Sequence, residues 1–435
     1  MSWRHRAAGQ LYSVVLALLL PAYALRLWWR GRAEPLYRRA MPERFGIYAD
    51  QPSAGWIWIH AVSLGETRAC AALVDALRSL NPHMRLLLTH GTATGREAGR
   101  GLLREGDVQA WLPYDLFRTS ARFFKQFKPS VGVLMETEIW PNLLHAARRA
   151  RVPMVLANAR LSAKSLRKGE RLDVLLRPAV RSLSLVLAQT QDDAQRLRAS
   201  GARWVEVSGN LKFDVTPDAA QGLQGKAWRG LLQREVVLAA ITREGEEAML
   251  LAAWAQVAEP RPLLLMVPRH PQRFDEVAAL VRAAGLTLAR RSTWGDAPTT
   301  DALSAQVWLG DSMREMALYY GVAQVALLGG SFAPLGGHNL IEAAACGCPL
   351  VMGPHTFNFA EAAELSIAAG AAVRVADMPA AVVQALAMLV PDVQQRYAAN
   401  ALGFASQHRG AAHKMAQRIV DLMASSPARS RRPKD

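Results

Sequence analysis

A chain of 435 residues, 51% apolar and 20% charged, is long enough for two or more domains, and that apolar share excludes wholesale disorder. Lys and Arg number 52 against 36 Asp and Glu, and the resulting +16 points to a negatively charged partner: nucleic acid, an anionic membrane surface or a phosphorylated substrate. Three cysteines (Cys70, Cys346, Cys348) and no CxxC pair exclude a disulfide framework and favour a reducing, cytoplasmic setting.

Residues 7–25 carry no charge, and 11–25 are strongly apolar. That length is borderline for the ~30 Å hydrocarbon core, and Pro21 interrupts the run. Arg4 and Arg6 precede it; Arg26, Arg30, Arg32, Arg38 and Arg39 follow, with Trp28 and Trp29 at an aromatic-belt position. A cleaved signal peptide is weakened by the Arg-rich segment behind it, and a spanning helix leaves one basic flank on the wrong side. The pattern favours a membrane anchor on a cytoplasm-facing protein, with Arg side chains on anionic headgroups; spanning and monotopic insertion both stay open.

Apolar runs then alternate with helical patterns, the signature of a parallel α/β architecture. The first series of strands is expected at 56–60, 85–89, 110–112, 131–135, 154–157, 185–188 and 204–207, with a helix over 66–80. Residues 216–230, with Pro217, Gly222, Gly225 and Gly230, read as an inter-domain linker. A second series follows at 236–241, 263–267, 306–309, 325–328 and 349–352. The expected organisation is an anchor with basic flank (1–43), a first doubly wound domain (44–215), the linker (216–230), a second doubly wound domain (231–424) and a basic disordered tail (425–435). Two such domains would offer a ligand cleft at their strand ends. The Gly-x-Gly-x-x-Gly turn of dinucleotide binders is absent, which lowers the prior on an NAD or FAD enzyme.

Five stretches carry candidate chemistry. In 56–68, a buried strand runs into Ser63-Leu64-Gly65-Glu66; Glu66 is a candidate proton acceptor or a first-turn residue satisfying the helix dipole. In 133–142, Glu136 and Glu138 leave a strand end two residues apart, on one side, ahead of Trp140-Pro141. Lys212 in 208–214 and Arg269 in 267–271 each put a cation beside a strand end, where a phosphate could bind. Gly329 to Gly337 form a Gly-rich loop opening a helix near Asn339, a ready anion site. Glu342 fits a capping box with Asn339 or a ribose contact equally well, and Met313-Arg314-Glu315 end a neighbouring strand. Cys346-Gly347-Cys348 reads as buried thiols at a helix end, ahead of metal binding.

The motifs HAVSLGE, METEIWPN, GNLKFD, PRHP, GDSMREM, GGSFAPLGGHNLIEAA and MGPHTFNF, in this order from about residue 44 to about 422, resemble those of the 3-deoxy-D-manno-octulosonic acid (Kdo) transferases of lipopolysaccharide synthesis. The resemblance implies a GT-B fold, an acceptor-binding Rossmann-like domain (44–215) and a CMP-sugar-binding one (231–424) facing a central cleft, behind an N-terminal membrane-anchoring helix. It implies an inverting, metal-independent glycosyltransferase needing no cofactor. Kdo would pass from CMP-Kdo to a lipid A precursor of the lipid IVA type, at the cytoplasmic side of the inner membrane. Carried over by position, Glu66 matches the general base, and Glu136 and Lys212 the transition-state-stabilising positions, with Glu138 two residues from the first of these. Pro268, Arg269, Met313, Arg314, Glu315, Asn339, Leu340, Ile341 and Glu342 match the CMP-binding segments. Arg314 departs from the Gly frequent there. The partners expected are CMP-Kdo, the lipid acceptor and an anionic membrane, with no nucleic acid. The alternative is another GT-B transferase with a different nucleotide-sugar and a lipid acceptor.

Overall fold

The computed structural model describes residues 3–49 and 51–425. The run Trp56–His60 is apolar on both faces and buried along its whole length, as a central strand of a parallel sheet requires. It is β1. With β2 (Arg85–His90), β3 (Val108–Trp111), β4 (Val131–Met135), β5 (Met154–Ala159), β6 (Leu185–Ala188) and β7 (Val205–Val207) it forms a seven-stranded parallel sheet of order β3-β2-β1-β4-β5-β6-β7. One face buries Trp58 against Phe123 and Phe124, its indole N–H donating to Thr89 Oγ1 (2.8 Å). The other buries Ile57 and Ile59 with Cys70, Leu73 and Leu77 of the Leu64–Leu80 helix.

A second parallel sheet comprises β8 (Val236–Thr242), β9 (Leu263–Pro268), β10 (Leu288–Arg290), β11 (Val307–Leu309), β12 (Val325–Leu328), β13 (Leu350–Met352) and β14 (Ala372–Arg374), in the order β10-β11-β9-β8-β12-β13-β14. The three-residue edge strands β10 and β14, one of them amphipathic and neither strongly apolar, escape the sequence reading; every other strand was anticipated within two residues. In each sheet the winding reverses beside the first strand, between β1 and β4 and between β8 and β12. Loops leaving the strand ends at such a reversal diverge and open a crevice.

The chain divides into two compact units: one runs to Asp214 and resumes at Arg409, the other spans Val215–His408. Two expectations about organisation are corrected. Residues 219–231 form a helix, Ala219–Leu231, capped by Asp218, which accepts from the Ala220 and Gln221 amides. Gly225 serves close packing, and the backbone of Gly222 meets Gly321, whereas a Cβ on Gly230 would meet nothing. A Cβ on Gly225 would lie 2.2 Å from the Leu318 carbonyl oxygen, and one on Gly321 2.7 Å from that of Gly222. The helix therefore belongs to the second unit, against Met316–Val322, and Gly225 reflects backbone approach instead of a flexible linker. The C-terminal helix Ala411–Ser425 returns to the first unit: Ala412, Met415 and Ile419 pack with Cys70 and Leu73, Asp214 accepts from the Gly410 and Ala412 amides, and Arg418 pairs with Glu206.

The N-terminal helix runs unbroken from Trp3 to Arg30 through Pro21, so the expected interruption does not occur. It lies against the first unit. Tyr12 donates to Asp115 (3.0 Å), Asn142 Nδ2 donates to Ser13 Oγ (3.0 Å), the Tyr23 ring meets Tyr114 edge-on at 5.8 Å, and Leu27 is buried with Tyr37 and Ala93. Its other side exposes Leu11, Val15, Leu18, Leu19, Trp28 and Trp29. From residue 426 the expected basic tail lies outside the described residues, as do the side chains of Arg4 and Arg6.

Candidate active site

The first unit gathers its candidate residues at the C-terminal edge of its sheet. β1 ends at His60, and the Leu64–Leu80 helix begins with Ser63 as its cap, accepting from the Glu66 amide (3.4 Å). Glu66 answers: Oε2 accepts from the Val62 amide (2.8 Å) and Oε1 from the Ser63 hydroxyl (2.9 Å). The capping reading of Glu66 is therefore realised, and it fixes the carboxylate at the mouth of the reversal between β1 and β4. Burial raises the pKa of Glu66 above the ordinary carboxylate value, against the lowering by its two donors, and the charge of Glu136 adds to the rise.

β4 ends at Met135, and Glu136 turns the chain with φ of 56°, a left-handed conformation uncommon for a non-glycine residue. The strand parity that would set Glu136 and Glu138 side by side is lost at that turn. Glu136 accepts from Arg160 (2.9 Å) beyond β5, whereas Glu138 accepts from the Trp140 indole (2.8 Å). Glu138 nevertheless stays in the cluster: burial first, then the charges of Glu66 and Glu136, push its pKa up to about 7. Glu66 and Glu138 thus share one partly desolvated edge with the charge of Glu136, and the charge of Glu66 adds to the rise at Glu138.

Lys212 sits in a short turn, Leu211–Phe213, beyond β7. A buried amide network holds this turn. Asn158, itself at φ of 52°, accepts from the Leu211 amide (3.0 Å); its carbonyl accepts from Gln189, whose Oε1 accepts from Asn210 (3.0 Å). Asn158 and Arg160 were not singled out in the sequence, because each works through a partner far away in the chain.

The second unit places the remaining candidates at the C-terminal edge of its own sheet. Pro268 closes β9, and the Arg269 amide donates to Thr242 (3.0 Å). Beyond β12 the Gly-rich loop 329–337 is tied to Glu246, a fully buried carboxylate missed at the sequence level. Its Oε2 accepts from the Gly330 (2.8 Å) and Arg243 (2.9 Å) amides, and its Oε1 from Phe332 (3.1 Å) and Ala333 (3.2 Å). The adjacent Glu247 accepts two bonds from Arg273 (2.7 and 3.1 Å). Ile241, in β8, has φ of 60°, and a Cβ on Gly329 would lie 2.2 Å from its carbonyl oxygen, so strain and close approach coincide at the reversal. His338 is drawn well below its usual pKa, to about 4, by burial and by Arg269, Arg243 and His270, which marks a cationic cluster at this edge.

Not every carried-over residue faces outward. The Leu340 and Ile341 side chains are fully buried, so only their backbone is available to a ligand. Asn339 accepts from the Ile341 amide (3.1 Å) one residue ahead of Leu340, the N-cap of the short Ile341–Ala345 helix, so the expected Asn339–Glu342 capping box does not form; burial raises the pKa of Glu342. Glu315 is spent on Arg291 (2.9 Å), Ser312 and Tyr319, and so shapes its loop. Met313 and Arg314 are exposed. Arg314 adopts φ of 67°, which explains why a Gly suits this position. Arg314→Gly is expected to raise stability by up to about 1 kcal/mol, the left-handed cost of ~1–2 kcal/mol less the added freedom of Gly in the unfolded chain. Urea unfolding of the two proteins checks it; an unchanged or lower midpoint would mean that the turn costs Arg nothing.

At the end of that helix Cys348 is buried, as expected, whereas Cys346 is only half-buried.

Residues 39–215 match the model of the family described as 3-deoxy-D-manno-octulosonic-acid transferase (kdotransferase). The chain is 46% identical to the 3-deoxy-D-manno-octulosonic acid transferase of Bordetella pertussis, over 95% of this chain and 99% of that protein. It is 32% identical to the same-named protein of Haemophilus influenzae, over 95% and 97%. Among solved structures, UDP-GlcNAc 2-epimerase from Neisseria meningitidis shares the fold, with a TM-score of 0.53 at 15% identity over 85% of this chain and 100% of that one. A glycosyltransferase fold of two doubly wound sheets, the ordered motifs and these identities agree: the chain belongs to the 3-deoxy-D-manno-octulosonic acid transferase family.

Proposed function

We propose that this Kdo transferase moves Kdo from CMP-Kdo, with inversion, to a hydroxyl of a phosphorylated lipid A precursor at the cytoplasmic face of the inner membrane. The observation that carries the reading is Glu66, fixed by two donors at the end of β1 and raised in pKa by burial beside two further carboxylates. Glu66 takes the proton of the acceptor hydroxyl as its oxygen bonds to the anomeric carbon of Kdo. The bond to the phosphate oxygen breaks, and CMP leaves with the electron pair. Glu136 and Lys212 steady the charge that develops at the sugar. Arg269 and the amides of the Gly-rich loop suit the departing phosphate; Glu342 and Asn339 suit the nucleoside. Mass spectrometry of the lipid product tests this reading: one or more Kdo units should appear on a tetraacylated precursor with CMP-Kdo and none with UDP-sugars. Transfer from a UDP-sugar alone would replace it with the alternative nucleotide-sugar.

Glu138 tunes the base. Its folded pKa of about 7 lies above the ordinary value of 4.5, so the stability gained by keeping it protonated is present below about pH 4.5 and lost as pH rises through 7. Glu138→Gln is expected to raise the melting temperature at about pH 8 but not at pH 4.5. With that charge gone Glu66 becomes less basic, so the acid limb of the pH–rate profile moves to lower pH. Identical profiles for the two proteins would place Glu138 outside the coupled cluster.

A further inference from the structure

The N-terminal helix does more than cover the first unit. With the helices Phe117–Phe127, Pro141–Arg149 and Asp173–Val180 it encloses an open groove of about 1420 Å³, wholly within that unit. Val14, Phe117 and Leu175 give it apolar walls, continuous with the exposed Leu11, Val15 and Leu18. Arg118, Arg148 and Arg149 line it too. No acidic residue lines the groove, and none of these three arginines has a carboxylate partner among the described residues, whereas neighbouring Arg177 is paired with Asp173 (2.7 Å). Arg149 sits over the Phe117 ring, 5.8 Å from its centre, which leaves its N–H edges free to face an anion.

The groove has two ends of different chemistry. Pro141 and Asn142 line it at the start of the helix that follows β4, where the Asn142 and Leu143 amides donate to Asp115 in the loop after β3 (3.2 and 2.7 Å), so one end lies at the C-terminal edge of the sheet. Arg148 and Arg149 lie at the other end of a nine-residue helix, about 10–12 Å from Pro141 at 1.5 Å per residue. The N-terminal wall is fixed by the Tyr12–Asp115 and Ser13–Asn142 hydrogen bonds, which set the groove's width.

We infer that this groove seats the lipid acceptor itself: a phosphorylated glycolipid with a phosphate on Arg118, Arg148 and Arg149, the first part of an acyl chain along Val14, Phe117 and Leu175, and its reacting hydroxyl toward the β4 end. A bulk anionic phospholipid would use the cations and the apolar wall, but would have no use for a groove with one end at the sheet edge where β4 delivers its carboxylates. The inference rests on the proposed reading of the acceptor.

The test is the double variant Arg148→Gln/Arg149→Gln; both residues are exposed at a helix end, so the fold should survive. Retention on detergent micelles of the phosphorylated precursor should fall about 10–100-fold, the loss expected for two charge-assisted contacts. Acceptor KM should rise by the same factor while donor KM holds. Wild-type protein should show the same loss on enzymatically dephosphorylated precursor, and the variant no further loss. Unchanged micelle retention would overturn the inference. So would lost flotation with phosphatidylglycerol vesicles when acceptor KM is unaltered, which would make the groove a bulk-membrane contact. If wild-type protein binds the phosphorylated precursor through these arginines but transfers no Kdo, the groove stands and the proposed function fails.

Discussion

Glu66→Gln should lower turnover by ~10²–10⁴-fold while CMP affinity is unchanged, because the amide keeps the size of the carboxylate but loses the basic site. The structure makes this substitution clean. Gln can still accept from the Val62 amide or the Ser63 hydroxyl, so the start of the Leu64–Leu80 helix keeps most of its capping. A residue that served only as a cap would cost about 0.3–1 kcal/mol of stability on losing its charge and leave turnover nearly intact. Steady-state rates on detergent-dispersed acceptor, with a thermal melt of the same preparation, separate the two. A Gln variant within a few-fold of wild type would move the base elsewhere, with Glu138 next, since it shares the edge and already titrates near neutrality.

Glu246→Ala has the largest expected effect on stability. Its carboxylate is the acceptor for four backbone amides, those of Arg243, Gly330, Phe332 and Ala333, in a fully buried position. Removing an acceptor from a buried donor costs ~1–3 kcal/mol, and these four are not additive because the loop relaxes, so about 3–5 kcal/mol is expected. The loop released is the Gly-rich segment, so CMP affinity should drop more than tenfold even well below the melting temperature. Calorimetric titration with CMP and chemical unfolding measure both. Full CMP affinity in a destabilised variant would mean that the loop holds its shape without Glu246 and that the carboxylate serves the fold alone.

These two residues also mark how much was legible in the chain. Glu66 could be found in one dimension. The apolar strand 56–60, the Ser63 cap and the helical spacing behind it are local, and local patterns fix strands, caps and the ends of strands where chemistry gathers. The Gly-rich loop, the cation after β9 and the apolar N-terminal helix were legible for the same reason. Glu246 was not. In sequence it is one of two adjacent acids opening a helix, an ordinary first-turn pair, and only the pairing of β8 with β12 brings the loop amides onto it.

The same distinction accounts for the corrections. Pro and Gly in 216–230 describe a linker and a close-packed helix equally well, until the Leu318 carbonyl and Gly321 stand against Gly225. The spacing of Glu136 and Glu138 promised one shared face until a left-handed turn at Glu136 sent one to Arg160 and the other to Trp140. Leu340 and Ile341 sit inside a stretch carried over as CMP-binding yet are buried in the core. The sequence by itself therefore determined the family, the two parallel sheets and the positions along the chain where charge meets a strand end, because these depend on short-range pattern. Which carboxylates share a desolvated edge, which glycine admits a neighbouring backbone and which arginines have no carboxylate partner among the described residues were decided only by the tertiary structure, because burial and electrostatic coupling depend on distances between residues far apart in the chain.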